Sequence, residues 1–195
     1  VAKLYFRYGA MNSGKSTALL QAAFNYEERG QRVLLAKPAT DTKGSGAIVS
    51  RLGVTRETDL QIGAGESLSE AFEAARGATP VACLLVDEAQ FLTAAQVDDL
   101  FRISVQQDVP VMAYGLRTDF RTSSFPGSAR LLELAHSLEE LKTICRCGKK
   151  AILNGRKAGE RFVFEGDQVA IDGRETTYES LCGRCYLTES AGRFG

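Results

Sequence analysis

Gly9-Ala10-Met11-Asn12-Ser13-Gly14-Lys15-Ser16 fits the spacing G-x-x-x-x-G-K-[ST]. Glycines at these places let backbone N–H groups turn inward on a phosphate chain. Lys15 would reach the β- and γ-phosphates, and the Ser16 hydroxyl would ligate magnesium. A helix starting here would aim its positive end at the same anions. The second group is Asp87-Glu88, which ends the apolar run VACLLVDE (81–88). A carboxylate in this place holds magnesium directly or through water, the part assigned to Asp87. Glu88 then stands where an attacking group is deprotonated or oriented, unless it only caps a turn or forms a salt bridge. The third group is Cys145-Arg-Cys147 with Cys182-Gly-Arg-Cys185. Four thiolates in two close pairs suit a tetrahedral structural zinc with no open position for catalysis. Free core thiols or a redox pair are the alternatives. Zinc would pin the ends of segment 148–181 and close it into a loop.

The elements that must position these groups read as an α/β chain. KLYFRY (3–8) is a short aromatic strand ending at Gly9, and TALLQAAFNYEERG carries helical spacing up to Gly30. RVLLAKPA (32–39) is a second strand, so the opening is strand, glycine loop, helix, strand. Residues 40–58 mix Gly, Ser, Thr and basic residues and are expected to be a mobile loop. Ser67-Leu68-Ser69-Glu70 matches a capping box opening a helix that stops at Gly77. After the strand at 81–88, Thr93 caps a helix to about Gln107, and VPVMAYGL (109–116) is another buried strand. A loop with two phenylalanines leads to a helix near Ala129–Ala135. From about Thr143 the texture changes to short alternating strands, many glycines and the cysteine pairs. Cys83, inside an apolar strand, reads as a structural thiol, and His136 as a surface or capping residue.

Composition narrows the class. With 195 residues, 44% hydrophobic and 25% charged, the chain can bury a core without staples. Lys+Arg and Asp+Glu are 24 each, which argues against a dedicated nucleic-acid binder. No apolar run approaches the ~20 residues that span a bilayer, and no secretory signal is visible. Five cysteines, four of them paired closely, fit metal ligation in a reducing compartment, so a cytoplasmic protein is expected.

GAMNSGKS (9–16), KPATDTK (37–43), VDEAQFL (86–92), YGLRTDF (114–120) and YESLCGRC (178–185) stand in order along nearly the whole chain. Together they resemble the type II thymidine kinases, a zinc-containing family. The resemblance implies a RecA-like phosphate-loop NTPase domain at 1–143, a parallel sheet with helices on both faces. A zinc-binding lasso domain would follow at 144–195. It implies transfer of the γ-phosphoryl group of ATP to the thymidine 5′-hydroxyl, with Glu88 as general base. Residues 9–16 and the run Asp87-Glu88-Ala89-Gln90 would hold the nucleotide, with Ser16 and Asp87 on magnesium. Met11, Phe91, Leu116, Phe120 and Phe125 would box the thymine. Val169-Ala170-Ile171-Asp172-Gly173 would close on it as a main-chain lasso, Tyr178 would complete that wall, and Asp41 would sit near the deoxyribose or the phosphate path. Lys43 stands where the family often carries arginine, and lysine is a point charge rather than a bidentate fork. Arg51 is a second candidate for that phosphate contact. Thymidine triphosphate as feedback inhibitor and a homotetramer are further implications. The competing reading is a phosphate-loop ATPase with a zinc ribbon that acts on nucleic acid or senses nucleotide.

Overall fold

A computed structural model describes residues 1–39, 46–169 and 176–194. In chain order the strands and helices of the first part are β1 (Leu4–Gly9), α1 (Lys15–Glu27), β2 (Val33–Pro38), β3 (Ala47–Val49), β4 (Thr55–Glu57), β5 (Leu60–Ile62), α2 (Leu68–Arg76), β6 (Cys83–Val86), α3 (Ala94–Gln106), β7 (Val111–Leu116), α4 (Pro126–Leu134) and β8 (Ser137–Glu140). A single 3-10 turn, Ala89–Phe91, links β6 to α3. The second part holds β9 (Thr143–Ile144), β10 (Lys150–Ala151), β11 (Leu153–Ala158), β12 (Arg161–Val163), β13 (Thr176–Leu181) and α5 (Gly183–Glu189).

Six strands form one sheet in the order β5-β2-β6-β7-β1-β8, and every pairing in it is parallel. The apolar runs explain the layering. Along β2 and β6, Leu34, Ala36, Leu84 and Val86 join a core with Leu68 and Phe72 of α2, Leu100 and Ile103 of α3 and Leu131 of α4. The alternate residues Val33, Leu35, Cys83 and Leu85 meet Leu19, Leu20 and Ala23 of α1 on the opposite face. Both faces are covered, which is why these strands are apolar throughout rather than alternating with polar residues. Because β7 lies between β1 and β6, the loops after β1 and β6 open on one edge of the sheet, one strand apart. A parallel sheet with helices on both faces is the fold class expected.

The expected loop over 40–58 is corrected. Its described part folds into an antiparallel hairpin, β3 against β4, turning through Gly53 at φ +83°. Ile48 of that hairpin is buried against the α1 face, so one apolar side chain anchors a segment whose composition reads as loop. β5 follows and extends the sheet beside β2, where the sequence suggests no strand. The capping box at Ser67 forms by half: Ser67 Oγ accepts the Glu70 N–H, while Ser69 N–H donates to Asp99. At Thr93 the box is complete with Gln96. α4 begins earlier than expected, with Pro126 in its first turn. His136 caps the sheet, its Nδ1 accepting the Leu4 N–H at 3.0 Å and its ring stacked on Phe101.

The second part has its own small core of Ala151, Leu153, Leu181 and Tyr186 beside Cys145 and Cys182. Gly127 ties α4 to the 3-10 turn: a Cβ there would stand 2.5 Å from Ala89 O and 2.7 Å from Leu92 O. Backbone atoms cannot step aside cheaply, so Gly127→Ala is expected to lower stability by about 1–3 kcal/mol. A urea titration should show a lower midpoint with unchanged slope; an unchanged midpoint would mean that α4 does not pack on the turn in this way.

Candidate active site at the sheet edge

The phosphate loop leaves β1 and enters α1 with Gly14 at φ +78° and Asn12 at φ +64°, left-handed positions that glycine and asparagine tolerate. A Cβ on Gly9 would stand 2.6 Å from Leu141 O, so only glycine fits where the loop turns. Lys15 is half-buried and donates from Nζ to Ala10 O at 2.9 Å. Burial lowers its pKa, and the charges of Glu88 and Asp87 partly offset this. The charge of Arg51, in the turn of the hairpin, adds a smaller push in the lowering direction.

Asp87 is 5% exposed and its Oδ2 lies 3.3 Å from Ser16 Oγ. The pair joins the phosphate-loop hydroxyl to the carboxylate at the end of β6. Two hard oxygens with a desolvated negative charge between them fit a magnesium ion. Glu88 sits at φ +50°, a strained conformation for this residue type. Its N–H donates to Asp87 Oδ1 at 3.0 Å, and its side chain accepts from Gln90 Nε2. Gln90 is fully buried, and its Oε1 accepts the Leu116 N–H at 3.1 Å. A backbone N–H can only donate, so the amide's orientation is fixed and its NH2 end must face Glu88. Both ends of the amide of Gln90, a residue that the resemblance assigns to the nucleotide, are engaged inside the protein. Ala89 beside it is fully buried.

The apolar candidates do converge. The Phe91 and Phe125 rings meet edge to face at 5.5 Å, while Leu116 and Phe125 are buried and Phe91 and Met11 half-exposed. Phe120 is 1% exposed and lies under the Arg156 guanidinium, 3.6 Å from ring centroid to Cζ. Arg156 Nε also donates to the Tyr178 hydroxyl at 3.1 Å, so Phe120 and Tyr178 share one cation. Gln168, next to Val169, donates to buried Asp119 at 3.1 Å. Asp41, Lys43, Ala170, Ile171, Asp172 and Gly173 lie outside the described residues.

The sulfurs of Cys145, Cys147, Cys182 and Cys185 all lie within 4.8 Å of one another, and none forms a disulfide. Thiolates on a tetrahedral zinc at ~2.3 Å stand roughly 3.8 Å apart, and the Cys147–Cys182 separation is 3.6 Å, so the four fit the ion. The Cys185 N–H, donating to its sulfur, and the neighbouring thiols lower the Cys182 pKa to about 6.

Asn154, Arg156, Gln168 and Ser180 were not singled out from the sequence. The Asn154-Gly155 step inside a strand is the available signal, but what these residues touch depends on strand register.

A family model described as thymidine kinase matches residues 2–186. The chain is 49% identical to a thymidine kinase of Ruegeria pomeroyi, covering 98% of this chain and 96% of that one. It is 49% identical to one of Chromobacterium violaceum (95% and 98% covered) and 48% to one of Legionella pneumophila (99% and 93%). The chain belongs to the thymidine kinase family. These three relatives match it over nearly the whole length that carries the phosphate loop, the acidic pair and the cysteine cluster.

Burial, with the Glu88 charge second, pushes the Asp87 carboxyl up to about 6. An unfolded aspartate titrates near ~3.9. The native state therefore holds this proton more tightly, and metal-free stability should fall as pH rises from about 4 to about 6. Asp87→Asn is expected to flatten that fall and to raise metal-free stability at pH 7 by about 1–3 kcal/mol. Denaturant titrations in a chelating buffer at both ends of the window check this; equal losses in variant and wild type would remove Asp87 as their source.

Proposed function

We propose that the sheet-edge site transfers the γ-phosphoryl group of ATP, held with magnesium, to the 5′-hydroxyl of thymidine. As a member of its family the chain is a phosphotransferase acting on thymidine. In the step, the bond from the γ-phosphorus to its bridging oxygen breaks and ADP leaves. A new bond joins that phosphorus to the 5′-oxygen, and Glu88 accepts the hydroxyl proton. The observation that carries this reading is the meeting of the phosphate loop with the Asp87-Glu88 pair at one edge of the sheet, where Ser16 Oγ lies 3.3 Å from Asp87 Oδ2.

The chain's residues supply alignment and charge, which dominate in phosphoryl transfer. The loop amides and Lys15 would hold the phosphates. Ser16 and Asp87 would hold magnesium, which would neutralise charge on the phosphate oxygens. Gln90, anchored on β7, keeps the Glu88 carboxylate directed and hydrogen-bonded. Met11, Phe91, Leu116, Phe120 and Phe125 would bound the thymine, with Tyr178 as a wall and residues 169–173 closing over it; Asp41 would lie near the sugar or the phosphates. The Phe91–Phe125 contact and the Arg156 bridge between Phe120 and Tyr178 support this assignment. Zinc on the four cysteines would have a structural part only, because all four positions would be filled by thiolates.

Residues 1–143 would form the catalytic unit and 144–195 the lasso unit. A homotetramer in the cytoplasm, inhibited by thymidine triphosphate, completes the reading. Among the described residues no helix is long and apolar enough to cross a membrane. The nucleic-acid ATPase alternative loses ground to the near-full-length identity with thymidine kinases.

Glu88→Gln is expected to retain ATP binding and lower kcat by about 10²–10⁴-fold, the usual share of a general base. A coupled assay across the four deoxynucleosides measures it and should give turnover with thymidine above the others. Near-normal turnover in the variant would reject Glu88 as base. Stripping zinc should weaken thymidine binding in calorimetry while the sheet keeps its circular-dichroism melting transition; undiminished thymidine affinity after verified zinc loss would contradict the tethering role.

A further inference from the structure

Met11, the third residue of the phosphate loop, is held at both backbone groups by the C-terminal part of the chain. Its N–H donates to Asn154 Oδ1 at 2.7 Å, and its carbonyl accepts from the Ser180 hydroxyl. Asn154 and Ser180 are directly opposite each other across the β11–β13 ladder, so they project from the same face of that ribbon. Both are buried, at 3% and 7% exposure. The other end of the Asn154 amide donates to Thr118 O at 3.0 Å, on the loop that carries Phe120 and Phe125. The Met11 N–H can only donate and the Thr118 carbonyl can only accept, so one amide orientation satisfies both.

Three segments therefore meet on one side chain: the phosphate loop, the aromatic loop after β7, and the ribbon of the zinc-bearing part. Because the Met11 N–H is committed to Asn154, the cradle for an anion is left to the amides that follow. Any shift of the loop on binding a triphosphate must either carry Asn154 and Ser180 with it or break two buried hydrogen bonds. β13 also holds Tyr178, and Arg156 of β11 lies over Phe120, so movement of the ribbon reaches the walls assigned to the base.

We infer that Asn154 and Ser180 are positioning residues that latch the phosphate loop to the ribbon, so that nucleoside triphosphate and nucleoside bind with positive coupling. The inference rests on the proposed assignment of the two substrates. Coupling of this kind is reciprocal: whatever factor ATP adds to thymidine affinity, thymidine adds to ATP affinity.

The test titrates thymidine calorimetrically into the full, zinc-loaded chain. One arm is the chain alone, and the other is the chain saturated with magnesium and a non-hydrolysable ATP analogue. The wild-type chain is expected to show about tenfold tighter thymidine binding in the second arm. Ser180→Ala and Asn154→Ala should each cut that factor to about two or less, while analogue affinity without thymidine stays within about threefold. Ser180→Ala removes only a hydroxyl, so it decides the matter if Asn154→Ala fails to fold. A merely structural role would weaken both arms equally and leave the factor intact. An intact factor in Ser180→Ala, or a wild-type factor of one, overturns the latch. A wild-type chain that binds neither thymidine nor the analogue overturns the functional reading, and the latch with it.

Discussion

A lysine and two carboxylates share a partly dry edge of the sheet, and the rest of the molecule serves that arrangement. Lys15, Asp87 and Glu88 would each be better solvated in water: burial lowers the lysine's pKa and raises that of Asp87. A buried charge of this kind persists only when the backbone around it is rigid. The sheet provides that rigidity. β1 and β6 are both interior strands, covered by helices on each face, and β7 between them fixes their separation. In the proposed reaction the cost of desolvation would be offset by a triphosphate at the lysine and magnesium at the acids, where preorganised charge would do its catalytic part.

Glu88 shows how local strain and tertiary support combine. Its left-handed conformation turns the chain sharply out of β6 and into the 3-10 turn. Gln90, two residues on, folds back against β7, where Gly115 leaves the space: a Cβ there would lie 2.8 Å from the Gln90 oxygen. A glycine on one strand thus permits the amide that orients the acid on another. The C-terminal ribbon acts at longer range. Its cysteine cluster gathers the two ends of segment 148–181, and its register sets Asn154 opposite Ser180 at the phosphate loop.

Much of this was legible in the residues. The phosphate loop, the acidic pair and the cysteine pairs are local in sequence, so their spacing reports their chemistry. The parallel strands announced themselves through apolar runs such as CLLV, which only a sheet covered on both faces requires. What failed to show was set by long-range contacts. Ile48 turns a Gly- and Ser-rich segment into a hairpin because α1 offers it an apolar face. β5 is too short to carry a pattern and exists because β2 has a free edge. Arg156 reads as one more basic residue in GRKAGER, yet it lies buried over the Phe120 ring, a contact that only the tertiary fold reveals. Asn154 and Ser180 have meaning only once the β11–β13 register is known.

A single structure determination bears most directly on the central claim: the chain crystallised with thymidine, magnesium and a non-hydrolysable ATP analogue. The analogue's triphosphate is expected in the loop at residues 12–16. The thymidine 5′-oxygen is expected within about 3 Å of a Glu88 carboxylate oxygen, on the side facing the γ-phosphate. A sugar hydroxyl held elsewhere, with another side chain between it and the phosphate, would overturn Glu88 as the base.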